Sequence, residues 1–230
     1  MALHAIPLKL AVSMGIPLVL WGENSAAEYG GDENLKGMTV TSEWLRNFGV
    51  TNGTTWLDWI DDDLTAKDLE AYRWPSEIEQ EEAGVTSAFL GYFFQWDPKI
   101  TQAIAAKNGF RSAAKPKTGL YDFADIDDEY LITVHHWMKW YKFGFTRLWD
   151  NLSIEIRAGR INRGEAIKII ASKDPEAEGM PEIQKFCKYI DISAQEFFNI
   201  AESFRDPNIW QKDKNGKFYI ENFLIEDFRW

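Results

Sequence analysis

The sequence predicts an α/β fold in which a parallel-sheet portion, residues 1–124, is followed by a mainly helical portion, residues 125–230. Ile16–Trp21 is a short apolar run bounded by glycines, which is typical of a strand covered on both faces in a parallel sheet. Val85–Phe94 is a second, aromatic-rich strand candidate. From Asp125 onward, apolar residues recur at helical spacing.

The first elements are a helix over Ala5–Met14, a turn at Gly15 and the strand that ends at Trp21. A further helix is predicted over Glu23–Tyr29, ended by Gly30 and Gly31. The apolar stretch before Trp21 is interrupted by charged, proline and glycine residues, so it does not fit a signal peptide or a membrane helix: His4, Pro7, Lys9, Gly15 and Pro17.

Between the two strand candidates, helix-start patterns recur in a region of short elements. Thr41 is expected to cap a short helix to Phe48, and another turn carries Trp56 and Trp59. Reciprocal capping boxes are predicted for two residue pairs, Thr65 with Asp68 and Ser76 with Glu79. After the second strand, a helix is predicted from Asp97–Pro98 to Asn108, and then a loop with a short extended piece over 110–123.

The back portion is predicted to contain five helices, with a capping box formed by Ser193 and Glu196: Ile126–Phe143, Thr146–Ala158, Arg163–Ser172, Pro181–Tyr189 and Ser193–Phe204. An extended or hairpin-like tail is predicted around Phe218–Ile220 and Phe223–Ile225, with Asn215–Gly216 as the turn.

Composition limits the classes of partner. The chain of 230 residues is 45% apolar and 15% aromatic, which is enough for a substantial core. Its net charge of -11 repels phosphate at long range, so nucleic acid and membranes are not expected as partners. A single cysteine, Cys187, excludes an internal disulfide, and we expect a cytoplasmic protein.

The first candidate ligand site follows the first predicted strand. Ligands of open α/β sheets bind beyond the carboxyl ends of strands. Gly22 would let a ligand approach the backbone, and Glu23, Asn24 and Glu28 offer directional hydrogen-bonding groups. An ordinary strand-to-helix turn with capping residues explains the same pattern equally well.

The second candidate site is cationic. Lys139 and Lys142 lie near one stripe of a predicted helix, and Arg147 follows on the next helix. In an acidic chain these three residues would form a local phosphate site. The alternative is a solvated basic face that pairs with surplus acids. No metal site is predicted, because the adjacent residues His135 and His136 point to different sides of a helix.

Several long stretches of the sequence resemble the N-acetyl sugar amidotransferase family, in the same order and over nearly the whole chain: HAIPLKLAVSMGIPLVLWGENSAAEYGG, AGVTSAFLGYFFQWD, DIDDEYLITVHHWMKWYKFGFTRLWDNLSIEIRAGRINRGEAI and FLIEDFRW. These enzymes belong to the PP-loop ATP pyrophosphatases and act in surface-polysaccharide and flagellin-glycan sugar biosynthesis. The resemblance implies that residues 1–124 are the remainder of a PP-loop domain and that residues 125–230 form a helical region packed on it.

The resemblance also implies a reaction. ATP, with Mg²⁺, would activate an acetamido oxygen on a nucleotide-linked N-acetyl sugar as an adenylate. Pyrophosphate would be released in this step, and ammonia from a glutaminase partner would then displace AMP to form an acetamidino group. The residues expected on the nucleotide side are Gly22, Glu23, Asn24 and Glu28, and those expected to contact phosphate are Lys139, Lys142 and Arg147; no catalytic residue is assigned.

The chain departs from the family pattern in one important respect. Family members carry a Ser-Gly-Gly-x-Asp-Ser type loop that holds the pyrophosphate of ATP, and this sequence contains no such loop. We therefore expect the C-terminal portion of such an enzyme, with an unpaired edge on the first strand. It would be either an N-terminally truncated gene product or one half of a split protein whose partner is the missing N-terminal half. The alternative is a non-catalytic remnant or interaction module that binds a sugar nucleotide or a glutaminase subunit.

Overall fold

The structure of the protein is a computed structural model that describes residues 2–22, 24, 37–48, 53–124 and 129–224. The chain forms two compact units, Met1–Trp96 and Asp97–Trp230. The boundary between them falls earlier in the chain than the predicted domain boundary at 124/125. Within the described residues, no helix is both long enough and apolar enough to cross a bilayer.

In the first unit, helix α1 spans Ala2–Met14 and ends at Gly15, whose φ of 64° is left-handed. Leu8 on α1 is fully buried and packs with Val85 and the half-buried Val19. The predicted helix is confirmed, with a start three residues earlier than expected.

Strand β1, Leu18–Trp21, pairs in parallel with strand β2, Thr86–Phe89. On the other side of β2, Thr39 forms an antiparallel bridge to Ala88, so β1 has a free edge within the described part of the chain. The prediction that β1 is covered on both faces is wrong. Leu18 and Leu20 are 49% and 51% exposed, because α1 covers only the opposite face, which carries Val19.

Strand β2 is shorter than predicted. After Phe89 the chain turns into a single helical turn, α4, over Leu90–Phe93. The register of the pair ends with Trp21 opposite Phe89, so within the described ranges the residues beyond Phe89 have no strand partner for their backbone groups.

The elements between the strands are short. They are α2 (Ser42–Phe48), two 3₁₀ turns (Trp56–Trp59 and Glu70–Tyr72) and α3 (Glu77–Glu82). Both predicted capping boxes form. Ser76 N donates to Glu79 Oε2 at 2.8 Å and Glu79 N donates to Ser76 Oγ at 3.2 Å. The predicted helix over 23–29 lies outside the described residues, apart from Asn24.

Helices of the second unit begin and end within two residues of most predicted bounds: α5 (Pro98–Lys107), α6 (Leu131–Phe143), α7 (Arg147–Arg157), α8 (Arg163–Ala171), α9 (Met180–Tyr189) and α10 (Ala194–Glu202). The exception is the start of α6, which was predicted at Ile126, a residue outside the described ranges. Thr146 and Ser193 cap α7 and α10 with their side chains.

The main core of the second unit forms where α6 packs against α9, α10 and a hairpin: Val134, Trp137, Trp140, Tyr141, Ile183, Cys187, Phe197, Ala201 and Trp210. The hairpin pairs β3, Trp210–Lys212, with β4, Phe218–Ile220. The predicted turn at Asn215–Gly216 and the extended piece at Phe218–Ile220 are confirmed. The extended piece predicted at Phe223–Ile225 is not formed at Phe223 and Leu224, which pack on core residues, and Ile225 lies outside the described residues.

Gly144 lies between α6 and α7, at a position where the hairpin packs closely against the backbone. Its φ is 70°, and a Cβ at this position would lie 2.5 Å from Ile220 Cδ1. Gly159 has the same backbone conformation with open space around it. Gly144→Ala is therefore expected to lower the free energy of unfolding by about 3 kcal/mol, and Gly159→Ala by about 1 kcal/mol. Urea unfolding followed by tryptophan fluorescence measures both; equal losses would contradict the packing argument.

The free edge of β1 predicts self-association. An unpaired strand that carries exposed Leu18 and Leu20 is a template for pairing with a second copy. The double change Leu18→Glu and Leu20→Glu is expected to shift the protein toward monomer in light scattering at moderate concentration. Ile78→Glu, at a helical residue that is 67% exposed, is the control and should leave the distribution unchanged. A monomeric unmodified chain would contradict the prediction.

Candidate functional site

A loop at 118–121 is anchored to neighbouring helices by several of its residues. Thr118 Oγ1 lies 3.0 Å from His136 Nδ1 on α6. Leu120 N donates to Asn151 Oδ1 on α7 at 2.9 Å. Because these contacts involve both side chain and backbone, the loop is held in one position; we call residues 118–121 the anchored loop.

The anchored loop is also held at Tyr121, whose hydroxyl donates to Glu155 Oε1 at 2.6 Å. The three residues of α7 that face the loop, Arg147, Asn151 and Glu155, are spaced by four and therefore share one side of the helix. Gly119, with a φ of 70°, sits directly on this side, where a Cβ would collide with Asn151 Oδ1 and lie 3.1 Å from Arg147 Cγ. Glycine is therefore required at this position.

Lys139 and Arg147, two of the predicted phosphate ligands, meet at Asp150. Lys139 Nζ lies 2.5 Å and Arg147 Nη1 3.6 Å from Asp150 Oδ2. Lys139 Nζ also lies 4.6 Å from the centre of the Phe145 ring. Asp150 thus bridges the two cations and holds them next to each other. We call Lys139, Arg147 and Asp150 the cation cluster.

Lys142, the third predicted phosphate ligand, lies elsewhere on α6. Its Nζ is 5.1 Å from the centre of the Phe204 ring, and its side chain is exposed. The structure therefore brings Lys139 and Arg147 together through Asp150, whereas Lys142 contacts a different part of the second unit.

His136 lies between the anchored loop and the cation cluster, and it is 7% exposed. Burial, and then the positive charge of Arg147, lowers the pKa of His136 to about 3. The imidazole is therefore neutral at physiological pH. It acts as a hydrogen-bonding group toward Thr118 and adds no charge to the cluster.

Glu155 anchors the other end of the loop and is itself held by cations. Arg160 Nε and Lys99 Nζ lie 2.6 Å and 2.8 Å from Glu155 Oε2, and Arg160 also pairs with Asp97. Hydrogen bonding by Arg160 lowers the pKa of Glu155 to about 2, so this buried group stays ionised. The same carboxylate and burial raise the pKa of Tyr121, which keeps its phenol protonated.

The front candidate residues belong to the first unit. Gly22 follows β1 directly, and a Cβ there would meet no atom within 4 Å. Asn24 is 6% exposed, and its Oδ1 accepts a hydrogen bond from Trp44 Nε1 at 3.3 Å. Glu23 and Glu28 lie outside the described residues. The contact with Trp44 shows a packing role for Asn24. This contact is compatible both with a ligand site and with an ordinary strand-to-helix turn.

Potential metal ligands do not converge in the described ranges, where no group of three or more His, Cys, Asp or Glu side chains is arranged to hold an ion. The rings of His135 and His136 are 5.5 Å apart and tilted by 54°, with only His136 buried.

Sequence reasoning missed the anchored loop. Thr118, Gly119, Asn151 and Glu155 are dispersed along the chain and match no short motif. The signal that could have indicated them is the spacing of Asn151 and Glu155 from Arg147, since three polar residues four apart mark one polar side of an otherwise amphipathic helix.

A comparison with protein families matches this same region. Residues 118–223 match the family model described as LPS biosynthesis protein WbpG-like, C-terminal domain. The WbpG-like segment begins at the anchored loop and includes Lys139, Lys142 and Arg147, whereas Gly22 and Asn24 precede it. Its description relates this part of the chain to lipopolysaccharide biosynthesis. The search of curated proteins found no match to the chain.

The buried His136 predicts a pH-dependent stability. With a pKa of about 3 when folded and 6.5 as the ordinary value, the unfolded chain takes up the proton first as the pH falls. The contribution of His136 to the free energy of unfolding therefore decreases from about pH 6.5 downward, by at most about 1.4 kcal/mol per pH unit. His136→Gln is expected to flatten urea-derived stability between about pH 6.5 and 5.

The matched control for this experiment is His135→Gln, because His135 is the neighbouring residue of the same type and is exposed. It should leave the pH dependence close to that of the unmodified chain. A slope that is unchanged in His136→Gln would contradict the burial of a neutral imidazole.

Proposed function

We propose that this chain is the C-terminal part of an ATP-dependent N-acetyl sugar amidotransferase that acts in lipopolysaccharide biosynthesis. The observation that carries the proposal is the match of residues 118–223 to a WbpG-like C-terminal domain. The resemblance of the front stretches to the same enzyme family supports it. The reaction would convert the acetamido group of a nucleotide-linked sugar into an acetamidino group.

The cation cluster is the part of the WbpG-like segment best suited to phosphate. A guanidinium group presents paired donors to an oxyanion, and an ammonium group adds a compact charge. Lys139 and Arg147 both contact Asp150 Oδ2, so a phosphate oxygen at the position of this carboxylate would accept hydrogen bonds from both cations. The neighbouring Gly119 packs directly against Arg147 and Asn151, which fixes the anchored loop beside the cluster.

ATP fits these residues only in part. Lys139 and Arg147 would hold phosphate oxygens, and ATP, when bound, supplies the activation of the acetamido oxygen. The sequence has no Ser-Gly-Gly-x-Asp-Ser loop, so further phosphate ligands would come from residues outside this sequence. Since the described residues contain no carboxylate cluster, Mg²⁺ would be held mainly by phosphate oxygens and water.

The roles of the chain's own residues follow from this arrangement. Arg147 and Lys139 orient and neutralise phosphate, and His136, as a neutral group, keeps Thr118 and the anchored loop in position. Asp150 holds both cations in place before the ligand arrives. The partners implied are the nucleotide-linked N-acetyl sugar and a glutaminase that releases ammonia.

An interaction module without catalytic activity is the second candidate. The exposed free edge of β1 favours it, because such an edge can pair with a strand of another polypeptide. In this reading the chain would bind a sugar nucleotide or a glutaminase subunit and would support no turnover in any combination.

The two candidates differ in pyrophosphate release. The assay contains ATP, Mg²⁺, ammonium and UDP-N-acetylglucosamine, with this chain alone or with a family N-terminal fragment that carries the missing loop. The chain alone is expected to release negligible pyrophosphate. With the fragment, release is expected to appear and to fall at least tenfold in Lys139→Ala and Arg147→Ala, a loss of about 1.4 kcal/mol of transition-state stabilisation.

Lys188→Ala, which removes an exposed lysine of α9 distant in sequence from the cation cluster, is the control and should retain the rate. Lys142→Ala tests whether Lys142 is a phosphate ligand, as the sequence pattern predicts. Because Lys142 contacts Phe204, its removal is expected to reduce pyrophosphate release less than the removal of Lys139. Release by the chain alone that depends on Arg147 would overturn the expected need for the missing loop. No release in any combination would favour the interaction module.

A further inference from the structure

A stretch of the second unit has a charge opposite to that of the chain. Residues 98–121 contain no Asp or Glu, although the chain as a whole has a net charge of -11. The same stretch carries several cations: Lys99, Lys107, Arg111, Lys115 and Lys117. An acid-free cationic stretch in an acidic protein concentrates positive potential locally and favours an anionic ligand.

An open cleft of about 470 Å³ lies along this stretch. Its volume is in the range of sites for small molecules and cofactors. The residues that line it include Lys99, Lys115, Pro116, Tyr121, Asp122 and Phe123. Cations and aromatic rings therefore meet in one concave surface, in which Asp122 is the acidic lining residue.

The cleft is preformed. Ala113 N donates to the backbone oxygen of Asp122 at 2.8 Å, which closes the segment between them into a loop. Tyr121 is held by Glu155, and Leu120 by Asn151, so one wall is the rigid anchored loop. A ligand would meet these groups without an ordering cost.

The two lysines of the cleft differ in their partners. Lys99 Nζ is bound to Glu155 Oε2 at 2.8 Å. Lys115 is exposed and has no ion-pair partner among the described residues. Lys115 is therefore the cation that is available to a ligand, and its removal leaves no buried carboxylate unpaired.

The aromatic wall consists of Tyr121 and Phe123. Their ring centres are 4.8 Å apart, and the planes are inclined by 16°, as in stacked rings. Tyr121 is buried, and Phe123 is half-buried, so the pair extends the aromatic surface of the core to the cleft. An anionic group beside Lys115 and a planar ring beside Phe123 describe a nucleotide better than a free sugar or a simple anion.

We propose that this cleft binds the nucleoside diphosphate moiety of the nucleotide-linked sugar, with Lys115 contacting the diphosphate and Phe123 the base. The inference rests on the proposed function for the identity of the substrate. It assigns the substrate's nucleotide to a site different from the cation cluster formed by Lys139, Arg147 and Asp150.

Calorimetric titration of the full chain tests the proposal, with UDP-N-acetylglucosamine, UDP, inorganic pyrophosphate and free N-acetylglucosamine as probes. UDP and the UDP-sugar are expected to bind with similar affinity, pyrophosphate more weakly, and the free sugar not at all. Lys115→Ala is expected to weaken UDP binding about tenfold and to reduce its salt dependence. Phe123→Ala is expected to weaken UDP binding while leaving pyrophosphate binding unchanged.

Lys188→Ala is again the matched control, because it removes one exposed lysine outside the cleft and changes the net charge by the same amount. Circular dichroism verifies that each variant is folded. Absence of UDP binding, or equal losses in Lys115→Ala and Lys188→Ala, would overturn the proposal.

The outcome separates this inference from the proposed function. UDP binding that depends on Lys139 and Arg147 but not on Lys115 would overturn the cleft assignment and leave the amidotransferase proposal standing. If UDP binding depends on Lys115 and the assay with the N-terminal fragment shows no pyrophosphate release, the cleft assignment stands and the amidotransferase proposal is contradicted.

Discussion

The second unit depends on how it accommodates a buried carboxylate. Glu155 is 2% exposed on α7, and an isolated charge at such a position would be strongly unfavourable. The Glu155 carboxylate accepts hydrogen bonds from Arg160, Lys99 and the Tyr121 hydroxyl. Removing one member of such a network costs about 3–5 kcal/mol in other proteins, since the remaining charge is left uncompensated. This network therefore connects α5, α7 and the anchored loop.

Aromatic residues build much of the core of the second unit. Trp137, Trp140 and Trp210 are each less than a tenth exposed and pack edge-on or tilted against neighbouring rings. Arg205 is enclosed in this aromatic core, where its guanidinium carbon lies 4.2 Å from the ring centres of Tyr141 and Trp210. Its charge is met by Glu202 and Glu176. Aromatic rings and paired acids together make a buried cation tolerable.

Local charge matters more than net charge for this protein. The overall charge of -11 works against anionic ligands at long range, yet basic side chains are grouped in two regions of the second unit. In the cation cluster, two basic groups share Asp150, and in the cleft, Lys115 has no acidic partner among the described residues. Both regions adjoin the anchored loop, so its rigidity determines where an anion would be held.

Local sequence determined the individual elements. The helix starts at Ser76, Thr146 and Ser193 were predictable, because a capping side chain and the residues that follow it are neighbours in the chain. The turn at Gly144 was predictable for a related reason. Glycine is favoured wherever the backbone adopts the left-handed conformation, whatever the tertiary surroundings. Lys139 and Arg147 could be selected as candidates because cations are conspicuous in an acidic sequence.

Tertiary structure alone decided what these residues contact. The pattern placed Lys139 and Lys142 near one stripe, but packing turned Lys142 toward Phe204 and left Asp150 to join Lys139 with Arg147. The apolar run at β1 by itself predicted coverage on both faces, which is wrong, because such a run does not indicate which neighbours cover it. Contacts between residues distant in the chain, such as Tyr121 with Glu155, depend on how helices pack, and a linear pattern carries no information about that arrangement.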